Sequence, residues 1–274
     1  MLTHMGHAAV RATDFETAAT GGHVIRHRAD LWLRSPTLLW ATLSLTAGSA
    51  DVISFLALGG LFNAHVTGNL IVLMVRIVNG GTTPLALLLS VPVFAAVVFL
   101  VRLLVARLDR AHLPSLLPLL LLQLVLLVGC LVVSVAGRPV LESSPAQVVA
   151  GMLGVAAMAV QNMFVQSMLD GAPPTAAMTA NVTRFALALA ELVLGRGARE
   201  RAAARSQVAH SWPALAGFAC GAGLGAALEA GLGVWAFGLP VGTALLALVL
   251  ALPRTSGGAP DEWHSCTGSN GPRS

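Results

Sequence analysis

Residues 114–136 contain no charged side chain from Pro114 to Ala136, and any fold of this chain has to accommodate that run. A helix needs about 20 residues to cross the hydrocarbon of a bilayer, so the segment is long enough to span. It is not alone: further apolar stretches cover 37–58, 84–105, 146–168, 213–234 and 235–252. Only 10% of the 274 residues are charged, against about 25% in a soluble domain, while 56% are hydrophobic. Such a chain could not cover its own surface in water. Its solvent is lipid, and the expected fold class is an all-α polytopic membrane helix bundle. Disorder, collagen, coiled coil and a secreted disulfide scaffold are excluded on composition.

The basic balance, a net charge of +4, comes entirely from arginine, since the sequence contains no lysine. Nucleic-acid binding would need a clustered basic face with stacking aromatics. Here the arginines sit at the ends of apolar runs, where the positive-inside rule places them. Cys130, Cys220 and Cys266 are far apart and odd in number, which fits neither a disulfide framework nor a metal-ligand spacing. Residues 1–35 form a polar tail with Arg26, Arg28 and Arg34. With no apolar h-region before Leu38, the tail does not read as a signal peptide. Its histidines, His4, His7, His23 and His27, are spaced too loosely for a metal site and read as solvated. Residues 253–274 are Gly/Ser/Pro-rich and read as a second disordered tail.

Two segments inside the bundle region, 62–79 and 176–194, differ in kind from the long runs. Each opens with small and polar residues, has a shorter apolar stretch and carries an internal arginine. Val66-Thr67-Gly68-Asn69 in the first corresponds to Met178-Thr179-Ala180-Asn181 in the second. A helix with a central polar cluster precedes each: Ser49, Asp51 and Ser54, then Gln161, Asn162 and Gln166. Short, interrupted hydrophobic segments at matching places in two halves point to a binding site in transporter folds. The region 36–252 therefore reads as one transmembrane bundle of two repeat halves, 37–136 and 146–252. If neither odd segment crosses, there are six full spans plus two broken or re-entrant helices. The clusters Arg102/Arg107/Arg110 and Arg196/Arg199/Arg201/Arg205 then share the cytoplasm with both termini, leaving Arg76 and Arg138 opposite. If both cross, there are eight spans. The positive-inside rule favours six, and six makes the repeat inverted.

The stretch from Gly48 to Leu56, followed by Gly59, Gly60, Phe62, Asn63 and Val66-Thr67-Gly68-Asn69, resembles the YoaK-like family of bacterial integral membrane proteins. That family shows a Gly-x-x-Asp-Ala-x-Ser-Phe-Leu helix leading into a Thr-Gly-Asn step, with a second-half counterpart that Gly154 to Asn162 resembles. The likeness covers about 37–252. Ala180 departs from it, standing where a glycine is usual. The resemblance implies a multi-pass inner-membrane protein and supplies no substrate.

Acidic groups within the apolar runs are Asp51, Glu191 and Glu229. A charge at the bilayer centre costs about 2.5–3.5 kcal/mol on insertion scales, so such groups face a cavity or an opposite charge. Asp51 therefore reads either as a proton or cation site or as a structural partner of Arg184 or Arg76. Thr67, Gly68 and Asn69 open an apolar helix, as do Thr179 and Asn181. Both steps read as N-caps, with or without a ligand at the free N–H groups. Arg184 and Glu191 share a helix face two turns apart and read as cavity lining or as an ion-pair face. His65 can titrate near neutral pH or serve as a hydrogen-bonded packing group. Gln161 and Asn162 bond across helices or touch a solute. Gly217, Gly221 and Gly225 have the small-x-x-x-small spacing of close helix packing.

No HExxH, GxSxG, Walker or CxxC sequence is present, and nothing orients Ser49 and His65 as a nucleophile and base, so no enzyme and no cofactor are expected. The expected function is a secondary transporter or permease for a small polar or ionic solute. Its site would be built from Asp51, His65, Thr67, Gly68, Asn69, Gln161, Asn162, Thr179 and Asn181, with Arg184 balancing the acid. The alternative is a non-transporting membrane scaffold or sensor subunit; an intramembrane enzyme on a lipid-soluble substrate stands third. Expected partners are membrane lipid, the solute and a second copy in a homo-oligomer, but not nucleic acid. The expected location is the cell membrane.

Overall fold

The computed structural model describes residues 36–80, 84–137, 144–168, 178–195 and 197–252. Both tails, with their histidines and Cys266, lie outside the described residues, as do Arg138 and Arg196. All elements among the described residues are helices: α1 (Pro36–Ala57), α2 (Val66–Val78), α3 (Leu85–Arg110), α4 (Leu116–Ala136), α5 (Pro145–Met168), α6 (Met178–Leu194), α7 (Ala198–Leu232), a 3-10 turn (Gly233–Phe237) and α8 (Gly238–Ala251). Five helical stretches are long and apolar enough to cross a membrane: Thr37–Ala57, Leu85–Arg110, Leu116–Ala136, Pro145–Ser167 and Ala198–Ala251. The last contains α7, the 3-10 turn and α8.

The distribution of side chains is that of a protein dissolved in lipid. Leu88, Phe99, Leu100 and Leu103 of α3 and Leu121, Val125 and Val132 of α4 face outward, while Ser44, Thr46, Ser49, Gln123 and Gln161 are buried. Apolar surface on this scale marks contact with lipid or protein rather than water. Inside, an unmatched polar group in an apolar medium costs several kcal/mol, and several of these hydroxyls and amides are partnered across or within helices. Thr42 and Thr46 donate to carbonyls one turn back in α1, and Thr46 also meets Thr243 of α8 at 2.8 Å. Gln123 of α4 donates to Gln161 of α5, which donates to the carbonyl of Leu43 in α1.

Contacts between named residues fix the helix directions. A Cβ on Gly217, Gly221 or Gly225 of α7 would run into the backbone of Ala41, Leu45 or Ser49 of α1 respectively, so these two helices run parallel at close range. Gly137, Gly129 and Gln123 of α4 meet Ala146, Leu153 and Gln161 of α5, which makes that pair antiparallel. Leu43 of α1 meets Gln161, whereas Gly59, just past the end of α1, meets Gln147 in the first turn of α5. Thus α1 and α5 run in opposite directions. In α8, Ala244 clusters with Ala47 and Ala50, and Ala247 and Leu248 cluster with Leu43, while Phe237 clusters with Ile53 and Leu58. This helix also opposes α1, so the start of α1 and the end of α8 share one end of the bundle.

The helix boundaries differ most from the sequence expectation at one place. The apolar run 213–234 belongs to a helix that begins earlier, at Ala198. Its first turns, with the Ala-rich Arg199–Arg205 stretch, have high helix propensity and extend past the start of α1, where His210 lies edge-on to Trp40. Arg199, Arg201 and Arg205 are thus on a helix, and exposed.

Candidate functional site: a carboxylate holding a returning loop

At the end of α1, Gly59 and Gly60 take φ of +73° and +86°, a conformation that side chains with a Cβ adopt only under strain. The pair turns the chain back into the bundle. Gly59 then lies beside Gln147, Leu61 beside Gly151 and Asn63 beside Gly154 of α5. The chain descends along α5 by the rise from Gln147 to Gly154, about 10 Å at 1.5 Å per residue. A Cβ on Gly154 would lie 2.5 Å from Asn63 Nδ2, so the absence of a side chain there makes room for the loop.

The bottom of the descent is held by Asp51. Its Oδ1 accepts the backbone N–H groups of Asn63 at 2.8 Å and Ala64 at 2.6 Å, and its Oδ2 meets His65 Nδ1 at 2.5 Å. The carboxylate is buried, at 2% exposure. Asn63 donates through Nδ2 to Ser54 Oγ at 2.6 Å. From His65 the chain turns into α2 and climbs back. Asn69, fully buried, accepts the N–H of Phe62 at 2.7 Å and donates to its carbonyl at 2.8 Å. Arg76, near the end of α2, donates to the carbonyl of Gly59 at 3.0 Å. The segment from Gly59 to Arg76 therefore enters and leaves at the same end of the bundle.

This geometry revises several expectations. Asp51 is paired with His65 and two backbone N–H groups, and not with Arg184 or Arg76. Asn69 does not cap α2: His65 occupies the N-cap position without a side-chain cap, and Asn69 clamps the incoming strand of the loop from within the first turn. Gly68 lies inside α2, where the Phe62 ring would be 3.1 Å from an added Cβ, so its role is packing space rather than a bend. Thr67 and Thr179 are exposed, and the Thr179 carbonyl accepts the hydroxyl of Thr183. Ser49 donates to the Thr46 carbonyl, not towards His65.

The ten expected residues do not assemble at one place. Asp51, His65, Gly68 and Asn69 belong to the returning loop. Gln161 lies in the amide chain with Gln123, and Asn162 is buried next to it. Asn181 is buried in the first turn of α6 and meets Arg184 Nη1 at 3.5 Å. Arg184 and Glu191 line an open cavity of about 680 Å³ between α6 and the first turns of α7, facing Glu200, Ala204 and Gln207. Gln123 escaped the sequence reading, although it had a signal as a lone amide inside an apolar run, and Asn63 entered it only in the resemblance and not as a site residue. No group of three or more His, Cys, Asp or Glu among the described residues could hold a metal ion.

A family model described as "Protein of unknown function (DUF1275)" matches residues 39–250. No curated protein and no solved structure matches the chain.

Proposed function

The chain belongs to the DUF1275 family of proteins of unknown function, and within it we propose a membrane permease for a small polar or ionic solute. The observation that carries this reading is the loop from Gly59 to His65, non-helical backbone bound to a carboxylate inside an apolar bundle. Irregular backbone at membrane depth is tolerated where it is buried in protein or lines a cavity. Broken helices of this kind build solute sites where two repeats meet.

The helix pairings support an inverted repeat. Exchanging α1 with α5, α2 with α6, α3 with α7 and α4 with α8 turns the α1–α7 contact into α5–α3, α4–α5 into α8–α1 and α2–α3 into α6–α7. All of these pairs are in contact, and α1 opposes α5 as inversion requires. The reading has six crossings: α1, α3, α4, α5, α7, and the 3-10 turn with α8, which together rise about 31 Å. The loop with α2, and α6 in the second half, are the two short non-crossing pieces. Arg107, Arg110, Arg199, Arg201 and Arg205 gather at the end where α1 begins, against Arg76 at the other. The positive-inside rule then puts both termini in the cytoplasm of a bacterial inner membrane, the location that the YoaK-like resemblance implies. The chain is read as a transporter and not an enzyme, with lipid and solute as partners and a homo-oligomer as its assembly.

One observation favours a second reading, a non-transporting scaffold: Asp51, Asn69 and Gln161 all bond to other parts of the bundle, as helix-locking groups would. Vesicles containing the full chain decide between them. After incubation with a mixture of amino acids, organic acids, sugars and inorganic ions, the permease enriches at least one solute over protein-free vesicles, and Asn69→Ala reduces that enrichment at least tenfold. A scaffold enriches none.

A further inference from the structure

We propose that the His65–Asp51 pair binds one exchangeable proton, taken up at His65 Nε2, and that this proton is the ion coupled to the permease cycle. The inference rests on the permease reading for the word coupled, and on the geometry alone for the proton.

The surroundings of Asp51 favour a proton over a metal ion. A metal ion such as sodium or calcium is held by several oxygen ligands. Asp51 instead presents Oδ1 to the N–H groups of Asn63 and Ala64 and Oδ2 to the ring Nδ1 of His65. That arrangement sets nitrogen atoms, not oxygen ligands, against both carboxylate oxygens. In the proposal, the pair without the proton is a carboxylate beside a neutral imidazole that donates through Nδ1, with a net charge of −1. Among the described residues the ion-pair partner of Asp51 is His65, while Arg76 donates to the Gly59 carbonyl and Arg184 meets Asn181.

The route for a proton is through the other ring nitrogen. The His65 side chain is 30% exposed while that of Asp51 is 3% exposed, and the ring rests edge-on against Phe218 of α7 at 5.2 Å between centroids. Nε2 makes no hydrogen bond to a described residue. In the proposal its lone pair takes a proton from water that reaches the exposed part of the ring, giving an imidazolium paired with the carboxylate and a net charge of zero. Release reverses the step. Around the ring, α1 contributes Asp51 and α7 contributes the uncharged Phe218. On α2 the single charged group is Arg76, held at Gly59, while on α7 His210 lies against Trp40 and Glu229 lies eleven residues beyond Phe218. No charged group other than Asp51 therefore makes a contact with the His65 ring among the described residues.

The loop is what the proton addresses. His65, Ala64 and Asn63 are consecutive, so the charge on the pair acts on the same short segment that Asp51 pins inside the bundle. A change from net −1 to net 0 alters the cost of keeping that segment at membrane depth.

The test is 15N NMR of ring-labelled histidine in the full chain, reconstituted in lipid vesicles, with the proton alone as ligand. The His65 resonances are those absent in His65→Gln, or in His65→Asn if the first variant does not fold. The expected result is an Nε2 that changes protonation between pH 5 and 9, with a midpoint moved by at least one pH unit in Asp51→Asn. An Nε2 whose protonation is constant over that range, or a midpoint that Asp51→Asn leaves in place, overturns the proposal. A titrating pair in a chain that enriches no solute supports the proton site and removes the permease reading. A constant Nε2 in a chain that does enrich a solute removes the proton and leaves the permease standing.

Discussion

The Asp51 carboxylate accepts from two consecutive backbone N–H groups and meets an imidazole, so its loss is felt first by the loop it holds. Replacing it with alanine leaves two buried N–H groups without an acceptor, at about 1–3 kcal/mol each. Asparagine keeps one oxygen for both. We expect Asp51→Ala to lower the thermal unfolding midpoint in detergent well below that of Asp51→Asn; equal midpoints would show that the backbone contacts contribute nothing. That a carboxylate among apolar residues had to be buried and partnered was legible from its position in α1. Its partners were not. They depend on how far the Gly59–Gly60 turn sends the chain back, a depth set by the missing side chains of Gly151 and Gly154 on a helix almost a hundred residues later. The Thr67/Asn69 step misled for a related reason: Thr and Asn at a helix start suggest a cap, but Asn69 finds a better pair of partners in both backbone groups of Phe62.

Helix against helix, the tightest seam is α1 with α7. The spacing of Gly217, Gly221 and Gly225 was readable because close approach needs a four-residue stripe without side chains. The partner was not readable, since α1 offers Ala41, Leu45 and Ser49 with no matching glycine stripe. An added Cβ at Gly221 would sit 2.2 Å from the Leu45 carbonyl oxygen, while at Gly223 nothing lies within 4 Å. Gly221→Leu should therefore prevent folding or cost several kcal/mol in the manner of an overpacked core. Gly223→Ala should be neutral or stabilising by up to about 1 kcal/mol through helix propensity. Both are checked by thermal unfolding of the purified protein, and a Gly221→Leu variant as stable as the parent would contradict the seam. The early start of α7 shows what hydropathy misses: a basic, alanine-rich stretch has no apolar signal, yet it forms helix readily.

At the scale of the whole molecule, the apolar runs made the membrane bundle legible, because lipid demands uncharged helices and tolerates little else. The directions of those helices came from glycine and glutamine contacts across the bundle, which spacing along one chain does not encode. Together they support the proposed reading in which α2 does not cross. The loop goes in from the end of α1 and Arg76 returns to Gly59, so Leu56, exposed in the last turn of α1, and Asn79 should face one side of the membrane and Ala111 the other. Sided labelling with a membrane-impermeant thiol reagent measures this directly. Single cysteines are introduced at these three positions in a background with Cys130, Cys220 and Cys266 replaced by alanine. The expected result is labelling of Leu56→Cys and Asn79→Cys from the periplasmic side and of Ala111→Cys only after the cytoplasmic side is opened. Labelling of Leu56→Cys and Asn79→Cys from opposite sides would make α2 a crossing helix and contradict the returning loop.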